Sequence, residues 1–174
     1  ESRKEESSMN SIDATSESET PMQITYDYEI REIDCSVHEQ KIYGIAYIPQ
    51  TDDKVPLAIF GHELGSTHRS GIPYAEELAS RGIAVYTLDF RGGSVSSQSD
   101  GSTVGMSVMT EAEDMEAVLE DAKDWEFVDS SRIVMIGASQ GGMASAVAAS
   151  RHGEELSGLI LLYPALLVHD AVHE

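Results

Sequence analysis

The sequence is poor in cysteine, in basic side chains and in long apolar runs. Its 174 residues contain one cysteine, Cys35, which excludes an internal disulfide and a thiolate metal cluster. Eleven basic residues stand against 31 acidic ones, and the net charge of −20 would repel a nucleic-acid backbone or an anionic membrane surface. No apolar run reaches the roughly 18 residues of a membrane-spanning helix. The sequence therefore predicts no nucleic-acid partner and no membrane insertion.

The composition favours one globular domain behind a polar tail. Apolar residues make up 41% of the chain, which is enough for a sizeable core. Residues 1–22 are rich in Ser and Glu, which predicts a disordered acidic tail. A tether of this kind is left when a signal peptide is removed, and it favours a secreted or cell-surface protein. Residues 23–174 are then the domain proper.

The hydrophobic pattern predicts an α/β fold. Alternating apolar residues between Gln23 and Ile48 indicate two antiparallel strands at a sheet edge. Beyond them, short apolar runs alternate with helical patterns, which is typical of a mostly parallel sheet with helices on both faces. The expected elements are strands over 55–60, 83–88, 133–136 and 159–163, and helices over 73–81 and 143–152.

A further helix is predicted after the Ser- and Gly-rich loop 92–105. Thr110 and Glu113 have the spacing of a capping box, which would begin the helix. Apolar residues then recur at helical intervals and form one stripe that faces the core, namely Met115, Val118, Leu119, Ala122 and Trp125.

Residues 133–142 hold the chemically informative motif, because a buried strand runs into Gly137-Ala138-Ser139-Gln140-Gly141 and then into a helix. A serine on such a sharp turn adopts a strained backbone, and side chains at Gly137 and Gly141 would clash with the neighbouring strand and helix. The turn lifts the hydroxyl above the sheet edge, at the positive end of the helix dipole. Ser139 is therefore the predicted nucleophile.

Residues 61–65 follow the first central strand, where a loop can offer a backbone N–H to the oxyanion that forms during acyl transfer. By position, the predicted oxyanion donors are the N–H groups of Leu64 and Gln140. His62 is expected to order this loop by hydrogen bonds, not to act as a base. Asp89 and Arg91, at the end of the next strand, are expected to brace loops as a charged pair.

With these motifs the chain resembles the α/β-hydrolase superfamily, and within it the bacterial cinnamoyl/feruloyl-esterase-like enzymes. One departure concerns Glu63, which stands where that group usually has glycine and adds a carboxylate near a site for negative charge. The matching stretches are residues 61–65, 89–93, 99–103, 106–111, 137–142 and 161–165, within about 42–170.

The resemblance also implies a catalytic acid and histidine after the serine, on separate loops. After Ser139 the sequence has one aspartate, Asp170, and the histidines His152, His169 and His173. Asp170 and His173 lie too close in sequence to converge from different strands. The resemblance implies that residues 166–174 open an inserted cap, so the chain is expected to be truncated and, by itself, inactive.

These observations predict a serine-dependent carboxylic-ester hydrolase that works through an acyl-enzyme, uses no cofactor or metal and takes a small-molecule ester. A serine peptidase or a thioesterase on the same fold is the alternative enzyme. A binding module with a degenerate site is the alternative of another class.

Sheet edges left open by a truncation would favour association with another chain or with a C-terminal part.

Overall fold

The computed structural model describes residues 24–166, which form eight strands and three α-helices. The predicted tail and nearly all of the predicted cap opening lie outside the described residues. The strands are β1 (Tyr28–Glu32), β2 (Cys35–Val37), β3 (Gln40–Ile42), β4 (Gly44–Pro49), β5 (Val55–Gly61), β6 (Ala84–Leu88), β7 (Val128–Ala138) and β8 (Gly158–Leu162), and the helices are α1 (Ile72–Ser80), α2 (Val108–Ala122) and α3 (Gln140–His152).

Six strands form one mixed sheet in the order β1-β4-β6-β5-β7-β8. β1 pairs antiparallel with β4, and β4 pairs antiparallel with β6, whereas β6, β5, β7 and β8 run parallel. The predicted antiparallel edge is therefore confirmed. The small β2–β3 hairpin forms a second sheet that the alternation of apolar residues did not predict.

Helices cover both faces of this sheet, as predicted. The odd positions of β5, such as Leu57 and Ile59, face a core that includes Met115 of α2 and Ala144 of α3. The even positions, such as Ala58 and Phe60, face a second core that includes Ala75 and Ala79 of α1. Because both faces are covered, the central strands read as continuous apolar runs.

The first helix matches its prediction closely. It begins at Ile72, with Pro73 in the first turn, where a missing N–H costs nothing. Gly82, just past the end, has φ of +87°, which is the left-handed conformation that glycine adopts readily. Among the described residues no helix is both long and apolar enough to cross a membrane.

The predicted start of α2 was wrong by one turn. Ser107, not Thr110, is the N-cap: its hydroxyl accepts from the Thr110 N–H, and the Thr110 hydroxyl accepts from the Ser107 N–H. A threonine thus takes the part that glutamate usually has in a capping box. The predicted stripe lies on the core face from Met115 to Ala122, and Trp125 packs against the same core just after the helix.

The start of α3 was predicted three residues too late. The helix begins at Gln140, directly after Ser139, so no connecting loop separates β7 from α3. A Cβ atom added to Gly141 would lie closer than 3.0 Å to the carbonyl oxygens of Gly61 and His62. One added to Gly137 would lie as close to the Gly141 carbonyl. The clash predicted for side chains at these two positions is confirmed.

We expect Gly141→Ala to lower the free energy of unfolding by about 2 to 4 kcal/mol, because the new methyl group meets rigid backbone on β5. Urea denaturation measures the change. Gly158→Ala is the matched control, since its Cβ would meet only Val134 Cγ1, at 3.7 Å. Equal losses in the two variants would contradict the close packing of α3 on β5.

Candidate active site

Ser139 lies at the carboxyl end of β7, in a backbone conformation that non-glycine residues rarely adopt. Its φ is 51° and its ψ is −117°. The segment at the end of β8 holds it by two hydrogen bonds: the Ser139 N–H donates to the Leu162 carbonyl at 3.0 Å, and the Ala165 N–H donates to the Ser139 carbonyl at 2.9 Å. Strain of this kind persists only where surrounding contacts impose it, and it is often found at functional sites.

The loop 61–65 lies beside this turn. Gly61 is in register with Gly137 on the neighbouring strand, and the carbonyls of Gly61 and His62 abut Gly141 at the start of α3. The structure therefore brings the loop that carries Leu64 next to the start of α3. The role of the Leu64 and Gln140 N–H groups as oxyanion donors stays a prediction. The N–H groups in the first turn of a helix have no acceptor within the helix, so α3 presents donors and a positive dipole end here.

His62 is buried, and both of its ring nitrogens are engaged. Nε2 accepts from the Phe90 N–H at 3.2 Å, so Nδ1 is assigned the proton and donates to the Glu63 carbonyl at 2.7 Å. Burial lowers the pKa of the ring, which favours the neutral form. The expectation that His62 orders the loop is confirmed.

Asp89 and Arg91 both brace loops, as predicted. They do not form the predicted ion pair with each other. Asp89 accepts from the His68 N–H and from His68 Nδ1, each at 2.7 Å. Arg91 pairs with Asp114 on α2 through its side chain and its backbone N–H. Both residues lie just past the end of β6, where the chain turns away from the strand, and each finds its own partner there.

Glu111 is a site residue that the sequence reasoning missed. It is 1% exposed, and its Oε1 accepts from Gln140 Nε2 at 2.9 Å, next to the candidate nucleophile. Its Oε2 is buried without a hydrogen-bond partner. Burial raises the pKa of Glu111 to about 7, even though Gln140 favours the charged form. Its sequence position could have indicated its burial, because Glu111 lies four residues before Met115 and therefore on the same face of α2 as the apolar stripe.

Glu63 and Tyr163 meet across the end of β7, because they follow its two neighbouring strands, β5 and β8. The Tyr163 hydroxyl donates to Glu63 Oε1 at 2.8 Å. Burial acts to raise the pKa of Glu63, but the nearby Glu63 N–H and Tyr163 hydroxyl stabilise the charged form more, so the pKa is lowered. A carboxylate therefore stands beside the loop expected to hold an oxyanion.

A cleft of about 550 Å³ adjoins the loop 61–65, lined by residues 65–69 together with Ser96 and Gln98. The loop 94–103 thus contributes two residues to the wall of this cleft. A second cleft, of about 620 Å³, lies at the amino end of β5, away from the strand ends that carry Ser139.

One cluster has the side chains of a metal site, namely Glu120, His152 and Glu155, whose ligand atoms lie within 4.8 Å of one another. The Lys123 ammonium already bonds to both glutamates and supplies the positive charge there. His152 is also at the far end of α3 from Ser139. The other residues considered for acid or base, His169, Asp170 and His173, lie outside the described residues.

We expect Glu111→Gln to stabilise the protein increasingly as the pH rises from about 4.5 to about 7. The folded protein favours the neutral form of Glu111. The contribution of Glu111 to the free energy of unfolding is therefore complete below pH 4.5 and is lost as the pH rises through about 7. The glutamine keeps an acceptor for Gln140. The gain should reach about 3 kcal/mol above pH 7. Thermal unfolding of both proteins from pH 4.5 to 8 measures it, and a difference independent of pH would contradict the assignment.

Three known proteins are similar to this chain, one in sequence and two in structure. Quorum-quenching protein AidA of Acinetobacter baumannii (strain MDR-ZJ06) is 25% identical over 126 residues, which cover 71% of this chain and 38% of AidA. The structure of DcsB in complex with its substrate analogue has a TM-score of 0.70 and 27% identity, over 78% of this chain and 45% of DcsB. Est1E from Butyrivibrio proteoclasticus, with ferulic acid bound, has a TM-score of 0.73 and 26% identity, over 81% of this chain and 56% of Est1E.

The chain thus spans between 38% and 56% of the length of these relatives. The resemblance to feruloyl-esterase-like α/β hydrolases, drawn from the motifs, is confirmed. Residues 58–173 also match the family described as "Serine aminopeptidase, S33". A match over more than half of the chain, on a sheet shared with known α/β hydrolases, shows that the chain belongs to the serine aminopeptidase S33 family of α/β hydrolases.

Proposed function

We propose that this chain supplies the nucleophile and the oxyanion donors of a carboxylic-ester hydrolase. The observation that carries the proposal is the position of Ser139, in a strained turn at the start of the 13-residue helix α3 and beside the loop 61–65. Acyl transfer needs a hydroxyl and backbone donors that converge on one carbonyl group.

In the proposed reaction, Ser139 Oγ attacks the ester carbonyl carbon and its proton passes to a general base. The N–H groups of Leu64 and Gln140 stabilise the negative charge on the carbonyl oxygen. The C–O bond to the alcohol then breaks, and the alcohol takes up the proton. Water hydrolyses the acyl-enzyme by the same steps and releases Ser139.

The general base in this proposal comes from outside residues 24–166. Both His62 nitrogens are hydrogen-bonded, and His68 is buried between Asp89 and Tyr43. His152 is at the opposite end of α3, and His38 lies on the exposed turn between β2 and β3. The full-length protein is therefore the right material for every test of activity.

An aminopeptidase activity is the second candidate, because the matched family is described as a serine aminopeptidase. The same serine, oxyanion donors and base would serve amide cleavage, with an amine as the leaving group. Est1E, which binds ferulic acid, and DcsB, which binds a substrate analogue, are similar folds that support a small-molecule pocket. A feruloyl ester, a short p-nitrophenyl ester and an aminoacyl p-nitroanilide separate the two activities, and cleavage of the anilide alone would favour the peptidase.

We expect Ser139→Ala to reduce ester turnover by about 10³-fold to 10⁶-fold, because the nucleophile is removed. A fluorophosphonate probe should label the wild-type protein at Ser139 and leave the variant unlabelled. Ser150→Ala is the matched control: this serine lies on the exposed side of the same helix, so both turnover and labelling should persist.

Two results would overturn the proposal. Undiminished turnover in folded Ser139→Ala would place the nucleophile elsewhere. A folded wild-type protein that neither reacts with the probe nor hydrolyses any of the three substrates would instead indicate a binding module without catalysis.

A further inference from the structure

A hydrogen bond joins the two segments that flank Ser139. Tyr163 lies between Leu162 and Ala165, which both hydrogen-bond to the Ser139 backbone. Glu63 lies in the loop 61–65, whose first carbonyls abut the start of α3. The contact between the Tyr163 hydroxyl and Glu63 Oε1 therefore spans the candidate nucleophile, and it fixes the carboxylate at the rim of the site.

Glu63 carries its charge without a cationic neighbour among its described contacts. Its Oε1 meets a neutral phenol, and its Oε2 is buried without a hydrogen-bond partner. The adjacent His62 is neutral for the reason given above. By contrast, Asp114 pairs with Arg91, and Asp89 is held by His68. Within residues 24–166, no cation therefore balances the negative charge of Glu63, which lies next to the place where an oxyanion would form.

Such a charge hinders the hydrolysis of some substrates and favours that of others. An oxyanion and a fixed carboxylate repel each other, which slows turnover of neutral esters and slows that of anionic esters further. A positive group on the substrate reverses the sign of the interaction. A fixed charge near the reacting carbonyl of a partly screened site changes a rate constant by about tenfold.

We propose that Glu63 is a specificity-determining residue that favours esters whose acyl group carries a positive charge close to the scissile carbonyl. Tyr163 is the positioning residue that holds the carboxylate in place. The inference rests on the proposed ester hydrolysis at Ser139, and it names the class of substrate that this site prefers.

Two p-nitrophenyl esters of equal shape test the inference in the full-length protein. One is the ester of trimethylammonioacetate, and the other is the ester of 3,3-dimethylbutanoate, in which carbon replaces the charged nitrogen. The measured quantity is the ratio of kcat/KM for the cationic ester to that for the neutral ester. Comparing this ratio between proteins cancels the different intrinsic reactivities of the two esters.

We expect Glu63→Gln to lower this ratio by about tenfold, with turnover of the neutral ester rising by a few-fold. Tyr163→Phe should lower the ratio by about threefold, because the carboxylate remains but is no longer held. Glu154→Gln is the control: it makes the same change in net charge just past the far end of α3, which is about 20 Å long, and should leave the ratio unchanged.

The outcomes separate this inference from the proposed function. If Ser139 is labelled and the neutral ester is hydrolysed, but the ratio is the same in wild type and Glu63→Gln, the charge selection is wrong and the proposed function stands. If Glu63→Gln fails to fold, the wild-type ratio should still fall at high salt as the charge is screened. A ratio independent of both salt and Tyr163→Phe would likewise overturn the inference. If no ester is hydrolysed and no label is taken up, both proposals fail.

Discussion

The site depends on a contact between backbones that leaves no room for side chains. The exit of β5 and the first turn of α3 meet at Gly61, His62 and Gly141, and the turn closes on itself at Gly137. Ser139 is then held in a conformation that costs roughly 1 to 3 kcal/mol, offset by its backbone hydrogen bonds to Leu162 and Ala165. A looser contact would let the turn relax, and the hydroxyl would lose its fixed direction above the sheet.

Buried polar side chains order the loops around that contact. His62 ties the loop 61–65 to Phe90, and Asp89 ties the next strand end to His68 and to the Gln98 N–H. Arg91 anchors the same region to α2 through Asp114. Electrostatic interactions are strong in this dry setting, so a paired group rigidifies the loops, whereas an unpaired one is costly. Among the described residues three buried oxygens lack a hydrogen-bond partner: Glu63 Oε2, Glu111 Oε2 and Ser145 Oγ. The two carboxylates lie next to the serine turn.

Local patterns predicted the regular elements well, because each pattern has its cause within a few residues. The apolar run 55–60 became β5, and Pro73 and Gly82 bracket α1. Errors arose where a local rule had more than one solution. Thr110 suits the first position of a capping box and also the last, and only the loop before α2 decided for Ser107. The three residues missed at the start of α3 include two glycines, whose poor helix propensity was overridden by the packing of the turn.

By itself, the sequence determined the order of strands and helices from β4 onward, the covered parallel sheet and the sharp turn at Ser139. Periodicity and glycine placement act over short distances along the chain. The tertiary structure alone decided which charged groups surround that turn. Gln140 finds Glu111 across 29 positions, and Tyr163 finds Glu63 across 100. Such pairs depend on which strand ends the sheet brings to one edge and on how the helices between them cross, and no local pattern encodes that register.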